Sequence, residues 1–346
     1  MNHPPSTEER IWSVLAHLSA LLLGMGILLP IIGWAEQRRK SKFVVYQCLQ
    51  ALGYQTLGYT IWILGYLLVV AVLLILMMIV AMIGSKSEDV FAVSVVAFNS
   101  IFLIFVFASL GIYLLFPLIA AVACGMGKDF QYPFMGKRLA NYLEYNAEND
   151  NRLNEDHEDR WVAAAGHFSV IIAFWGMLAP VTAWILQGAR SAWLKFQSAQ
   201  AVVFHVCVLA LGFVAGALYL VGMVAFIALT GFSGDTVSSP ANGLIDIILI
   251  SGPRIIGLIG IIVMFGSMIV ALLILLVIPL FHIMGQWAGY RVLKGDDYKY
   301  PIVGKLVARF IPIGSEGATK NLPTSKEDPS VAANAHSHRP DGLSGG

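Results

Sequence analysis

Long apolar stretches without ionised side chains alternate along this chain with short polar segments, and the alternation sets the reading. Six runs contain no Asp, Glu, Lys or Arg: 11–35, 43–85, 90–127, 161–189, 196–234 and 255–290. A membrane-crossing helix needs about 20 apolar residues, because hydrocarbon offers no partner to an exposed backbone N–H or C=O. All six runs exceed that length. Leu, Ile, Val and Phe fill them without the period-two alternation of an outer-membrane barrel strand. The pattern predicts an all-α, polytopic helical membrane protein.

The polar punctuation recurs at a spacing of 150 residues. Glu8, Arg10, His17, Ser19, Gly26, Leu28, Pro30, Trp34 and Gln37 return as Glu158, Arg160, His167, Ser169, Gly176, Leu178, Pro180, Trp184 and Gln187. Without a gap, Ser41, Gln47, Gln50 and Ala51 return as Ser191, Gln197, Gln200 and Ala201. Each half also closes alike, on Tyr132-Pro133 followed by Gly136-Lys137, and on Tyr300-Pro301 followed by Gly304-Lys305. Two tandem copies of a three-segment unit are expected to form one pseudo-twofold bundle. The first repeat covers 1–140, a polar and exposed linker 141–159, and the second repeat 160–311. The tail 312–346 turns to Gly, Ser, Pro, Ala and Asn, a composition that predicts disorder.

The second run of each copy is too long for a simple span. As one helix, 43–85 would measure about 64 Å against a hydrocarbon core of about 30 Å. Residues 43–59 are therefore expected to lie at the interface, with Tyr46, Tyr54 and Tyr59 at headgroup level and the span at 61–83. Residues 196–205 and 206–229 take the same parts in the second copy. Basic residues then decide the topology. If every run crosses once, the Lys and Arg residues outside the distal tail divide ten to nine between the two sides. If the first run of each copy dips in and returns, they divide 17 to two, leaving only Lys86 and Arg254 outside. The positive-inside rule favours the second arrangement. Gly24-Met25-Gly26 and Pro30 give a place to turn, less marked in copy two, which has Gly176 and Pro180. The expectation is parallel repeats, four net spans and both termini cytoplasmic, with an inverted three-plus-three repeat as the rival.

Composition narrows the function. Hydrophobic residues make up 58% of the chain and charged residues 12%, against roughly 25% charged in an ordinary soluble domain. A net charge of +1 gives no electrostatic footprint for nucleic acid. Cys48, Cys124 and Cys207 show no CxxC spacing and read as small buried hydrophobes. The first apolar stretch is too long for a removable leader and lacks a small-x-small cleavage site.

Few residues could carry chemistry. His17 and His167 lie within the first run of each copy, where a histidine is a functional candidate. The alternative is a neutral imidazole bonded to a neighbouring helix or set in the interface, which nearby Trp12 and Trp161 favour. Gln47 and Gln50, like Gln197 and Gln200, sit three apart and share a helix face. Gln55 or His205 extends that polar stripe. Such amides either fix helix packing or line a polar groove. Gly212 and Gly216 form a GxxxG spacing, and His336 and His338 a weak metal pair in the tail. No carboxylate or fixed cation falls within any of the six runs, which argues against a buried proton or ion relay. No nucleotide, metalloprotease or nucleophile-elbow motif is present. An enzyme is not expected, nor a cofactor or metal.

Glu8-Glu9-Arg10, a segment bearing His17, then Gly26-x-Leu28-x-Pro30-x-x-x-Trp34 and Gln47-x-x-Gln50-Ala51 resemble a known family, and their second copies do so equally. The family includes the plastid Tic-twenty-type import subunit and the magnetosome MamF proteins. Many relatives carry His where Gln47 and Gln197 stand, which removes any role that depends on protonation there. The resemblance implies a membrane-embedded bundle associated with membrane organisation or protein import. The chain thus reads as a non-enzymatic scaffold or accessory component of a bacterial inner or plasma membrane. A channel or translocation component with a polar path between the repeats is the alternative, and a small-molecule transporter the third. Its expected partners are the lipid bilayer and other membrane proteins or further copies of itself, and not nucleic acid.

Overall fold

A computed structural model of the chain describes residues 4–83, 88–148, 152–231 and 244–311. The tail beyond 311, with His336 and His338, lies outside the described residues, as does the side chain of Arg254. Among the described residues every regular element is helical.

The first copy opens with helix α1 (Thr7–Leu18), where Ser6 and Glu9 form a reciprocal capping box. A 3-10 stretch follows over Ser19–Ile27, and then α2 (Leu28–Gln37). Next come two long helices, α3 (Lys42–Ile83) and α4 (Glu88–Gly125), and the short α5 (Gly136–Leu143). The second copy runs in the same order. Helix α6 (Glu155–Phe168) leads through a 3-10 turn (Ser169–Ile172) and α7 (Ala173–Gly176) into α8 (Leu178–Gln187). Long helices α9 (Ala192–Gly231) and α10 (Leu244–Leu293) and the short α11 (Val303–Phe310) complete it.

The first apolar run of each copy folds back on itself. In copy two the arms are bent by 115°. Leu23 and Ala173, one repeat apart, both adopt positive φ, 52° and 47°, at the turn. Such backbone in a non-glycine residue costs on the order of 1–3 kcal/mol and persists only where the surroundings hold it. Gly26 and Gly176 do part of that holding, since a Cβ on either would overlap the carbonyl oxygen of Ser19 or Ser169. The Ser169 hydroxyl ties the turn further, donating to the carbonyls of Gly166 and Gly176 at 2.9 and 2.8 Å.

The closed ends prove the fold-back. Gln37 Nε2 donates to Glu8 Oε1 at 3.0 Å, and Ser41 Oγ donates to Glu9 Oε1 at 2.5 Å. A straight helix over 7–37 would hold those groups about 45 Å apart. In copy two Ser191 lies against the Asp159 carboxylate in the same way. Each first run therefore has both ends on one side, and the two copies are parallel. Lys40 and Arg190 are exposed equivalents at those ends. Cysteines at Lys40 and Arg190 should both react with an impermeant maleimide from the same side of a sealed membrane; reaction from opposite sides would establish inverted copies.

The expected interface-lying segments are not separate elements. Helix α3 runs unbroken for 42 residues. Val44 to Leu52 are fully buried by protein, and the chain becomes apolar and outward-facing from Ile61 onward. The reason is the hairpin, which covers the first third of α3. Trp161 is not an interfacial anchor either. It is buried, and its indole N–H donates to the Leu49 carbonyl at 2.9 Å.

The copies share one core that runs from Ile27, Trp34 and Leu52 to Trp161 and Phe168. Helices α2 and α8, repeat equivalents, pack on each other, and α3 also packs on α6. Polar contacts close the joint at the hairpin mouths. Arg38 Nε lies 3.1 Å from Glu158 Oε2 and its Nη2 2.7 Å from Asp159 Oδ1. Trp34 Nε1 donates to Glu158 Oε2 at 2.8 Å, and the Arg38 guanidinium lies over the Trp34 ring. Glu158 and Asp159, expected in an exposed linker, are thus built into the joint. Beyond this shared base the long helices present Leu, Ile, Val, Phe and Met outward. That surface suits lipid. Among the described residues five helical segments are long and apolar enough to cross a membrane, or six with the bent pair; the first of the five and the bent pair are the two folded-back runs.

Candidate functional site

The repeated polar residues converge on two equivalent networks, one per copy. In the first, His17 on α1 faces Gln47 on α3 and Tyr132 in the loop after α4. His17 Nε2 lies 3.0 Å from Gln47 Oε1, and His17 Nδ1 lies 3.0 Å from the Tyr132 hydroxyl. Gln47 Nε2 donates to Asp129 Oδ1 at 2.8 Å and to the Phe130 carbonyl at 3.1 Å. Both are acceptors, so the Gln47 amide orientation is fixed, and its Oε1 can only accept. His17 Nε2 therefore carries the proton, and Tyr132 donates to Nδ1. The imidazole is neutral in this arrangement.

Gln50, one turn along α3, grips the same loop from both sides of the peptide. Its Nε2 donates to the Phe130 carbonyl at 2.9 Å, and its Oε1 accepts the Tyr132 N–H at 3.0 Å. Tyr132 also stacks on Tyr54, with ring centroids 4.4 Å apart. The network is sealed, for His17, Gln47 and Gln50 have no exposed surface. Burial pushes the Asp129 carboxyl above its usual range, against the opposing effect of its hydrogen bonds, and lifts the Tyr132 phenol well above its own.

The second network repeats the first. His167 Nε2 lies 3.2 Å from Gln197 Oε1, and its Nδ1 3.2 Å from the Tyr300 hydroxyl. Gln197 and Gln200 donate to the Tyr298 carbonyl at 3.2 and 2.9 Å, and Gln200 Oε1 accepts the Tyr300 N–H at 3.3 Å. Phe204 stacks on Tyr300 where Tyr54 stacks on Tyr132. One difference is chemical. Asp129 takes a Gln47 N–H, whereas Asp297 turns outward and accepts the Trp193 indole N–H at 2.7 Å.

All seven candidate residues are accounted for. Six form the two networks, and the seventh, His205 on α9, packs against the turn of the second hairpin. Its Nδ1 lies 2.8 Å from the Ala201 carbonyl one turn back, and its Nε2 faces Gly176 at the hairpin turn. Its counterpart Gln55 donates to Ser19 Oγ at 2.9 Å. The residues missed from sequence are Tyr132, Tyr300 and Asp129. The repeated Tyr-Pro pair was visible, but no local pattern ties it to a histidine 115 residues away.

Chemically the networks act as clamps. Each binds the hairpin, the long helix and the closing loop into one unit, with the glutamine amides donating outward to loop backbone carbonyls and, in the first copy, to the Asp129 carboxylate. The grooves between α3 and α4 (about 410 Å³) and between α9 and α10 (about 540 Å³) are lined almost wholly by apolar and aromatic side chains. Gly212 and Gly216 bring no helix close, since a Cβ on either would meet nothing. Among the described residues no three of His, Cys, Asp or Glu converge in the manner of a metal site.

The profile of the magnetosome magnetite crystal formation protein family (MamF/MmsF) matches the chain twice, over residues 8–139 and again over 158–307. No curated protein and no solved structure matches it.

Proposed function

This chain belongs to the magnetosome magnetite crystal formation protein family, and from that premise we propose that it is a non-enzymatic scaffold of its membrane, with both termini cytoplasmic. The family description points to a membrane that bounds a site of magnetite crystal formation. Within it, the chain would organise the bilayer and its proteins and leave the chemistry to others. One observation carries this reading. The intramembrane polar groups that could have lined a path are spent on two matched internal clamps, in which Gln47 and Gln197 bond to a histidine and to the closing loop.

Reconstitution into liposomes tests it. The wild-type chain should show no ion or solute flux. Gln47→Leu with Gln197→Leu should instead lower thermal stability, by about 1–3 kcal/mol for each buried network left with unpaired donors and acceptors. Reproducible permeation by the wild type, abolished in the double variant, would replace the scaffold with a channel.

A further inference from the structure

We propose that the groove between α3 and α4 is a binding site for a prenylated quinone, a membrane lipid with a flat ring and two carbonyl acceptors. The two copies build this groove at the same repeat positions but from different chemistry. Trp62, Ser109 and Tyr113 line it in the first copy. Gly212, Ala271 and Leu275 stand at the equivalent places in the groove between α9 and α10. The indole and both hydroxyls are thus lost from the second groove. Lipid packing alone gives no reason for that difference, since both grooves open on the apolar surface.

The first groove is preorganised. Tyr113 stacks on Tyr54 and Tyr54 on Tyr132, with ring centroids 5.3 and 4.4 Å apart, so three parallel rings share the lining. The Trp62 indole N–H donates to Ser109 Oγ at 2.9 Å, which fixes that ring as well. Gly65 adds no side chain, and the volume of about 410 Å³ lies in the range of small-molecule sites. Most polar groups of the lining are already used. Tyr54 donates to the Tyr113 carbonyl at 2.7 Å, Ser109 to the Val106 carbonyl at 3.0 Å, and Tyr132 to His17. Tyr113 differs. It is 8% exposed, and its hydroxyl has no hydrogen-bond partner among the described residues. Buried hydroxyls are nearly always paired, so this one calls for an acceptor. A quinone carbonyl is such an acceptor, and its ring suits the flanking aromatic faces. A phospholipid chain brings no ring to stack.

An independent observation lies at the same groove. The Met135 N–H donates to the Pro133 carbonyl at 2.7 Å and closes a γ-turn about Phe134, whose φ is 63°. That turn is rare and strained in a residue with a side chain. Phe134 also lines the groove while 92% exposed, so the strain holds a phenyl ring where little of the protein packs on it. Its counterpart Ile302 has an ordinary φ of −103°. Strain and aromatic lining thus occur together in the first copy and are missing together from the second. With a quinone ring in place, Phe134 gains a partner, and the prenyl tail passes between the outward-facing Ile61 and Ile112 into hydrocarbon.

Titration of the full chain in phosphatidylcholine nanodiscs with decylubiquinone tests this. Quinones quench indole emission, so the difference in quenching between the wild type and Trp62→Phe reports on the groove. It should saturate at one quinone per chain. Tyr113→Phe should weaken binding about tenfold, the effect of 1.4 kcal/mol, and leave the melting temperature unchanged, because the lost hydroxyl had no partner. Phe134→Gly should weaken binding severalfold and raise the melting temperature by about 2 °C, since glycine takes positive φ without strain. Gly65→Leu should fill the groove and abolish binding; a Cβ there meets Phe105 at an ordinary 3.8 Å, so the fold is kept. Gly212→Leu, in the second groove, should bind as the wild type. Three results would overturn the proposal: quenching that never saturates, full affinity in both Tyr113→Phe and Gly65→Leu, or equal displacement by decanol, which would assign the groove to an acyl chain. The measurement does not depend on flux, so this site and the scaffold reading can fail separately.

Discussion

Replacing Arg38 with alanine should cost the protein about 3–5 kcal/mol of stability, the usual effect of removing one partner from a buried ion pair. Arg38 faces two carboxylates at once, and the side chains of Arg38, Glu158 and Asp159 are 5%, 2% and 13% exposed. Without the guanidinium, both acids keep their burial and lose their counterion. Trp34 also loses the cation over its ring. Thermal unfolding in detergent should show the loss, and limited proteolysis at the linker should become faster as the two copies part. Adding Glu158→Gln and Asp159→Asn to Arg38→Ala should recover much of the stability, because the stranded charge is then gone. An Arg38→Ala protein that melts with the wild type would show that the joint is held by apolar packing alone.

The second large effect belongs to the hairpin turns. Gly26→Ala and Gly176→Ala each put a methyl group into the space of a backbone carbonyl oxygen, that of Ser19 or Ser169. No rotamer change can relieve a clash between a Cβ and backbone, so the turn itself must open. Overpacking usually costs about 1–3 kcal/mol and more where nothing can yield. The upper end is expected for each change, and their combination should leave little monodisperse protein on size-exclusion chromatography. Gly216→Ala serves as the control, since its Cβ would meet nothing and it should behave as the wild type. Full recovery of the Gly26→Ala, Gly176→Ala protein would mean that the turns are looser than described.

These expectations show which parts of the fold were legible in the chain. The helical runs follow directly from the absence of charge over stretches longer than a bilayer is thick. The fold-back of the first run was legible too, chiefly through the distribution of Lys and Arg, a property of the whole chain, with the glycines and prolines of the run as local support. The turn that accomplishes it was half visible. Gly26 and Gly176 stood out by repetition, but Leu23 and Ala173, which take the left-handed backbone, carry no mark of it. Side-chain partnerships were the least legible. His17 and Gln47 were singled out separately, and only tertiary folding brings them together with Tyr132. Glu158 stood out only as the repeat of Glu8 at the end of a polar connector, because nothing local says that Arg38 and Trp34 will close over it.

The fold-back has a consequence for how such a chain could arise. A unit whose first run returns to its starting side, and whose two long helices then go out and back, begins and ends in the same compartment. Joining two such units in one reading frame delivers the second in the orientation of the first, with no need to reverse its flanking charges. Had the first run crossed, an odd number of passages would have turned the second unit upside down, and its basic loops would have faced the wrong side from the moment of fusion.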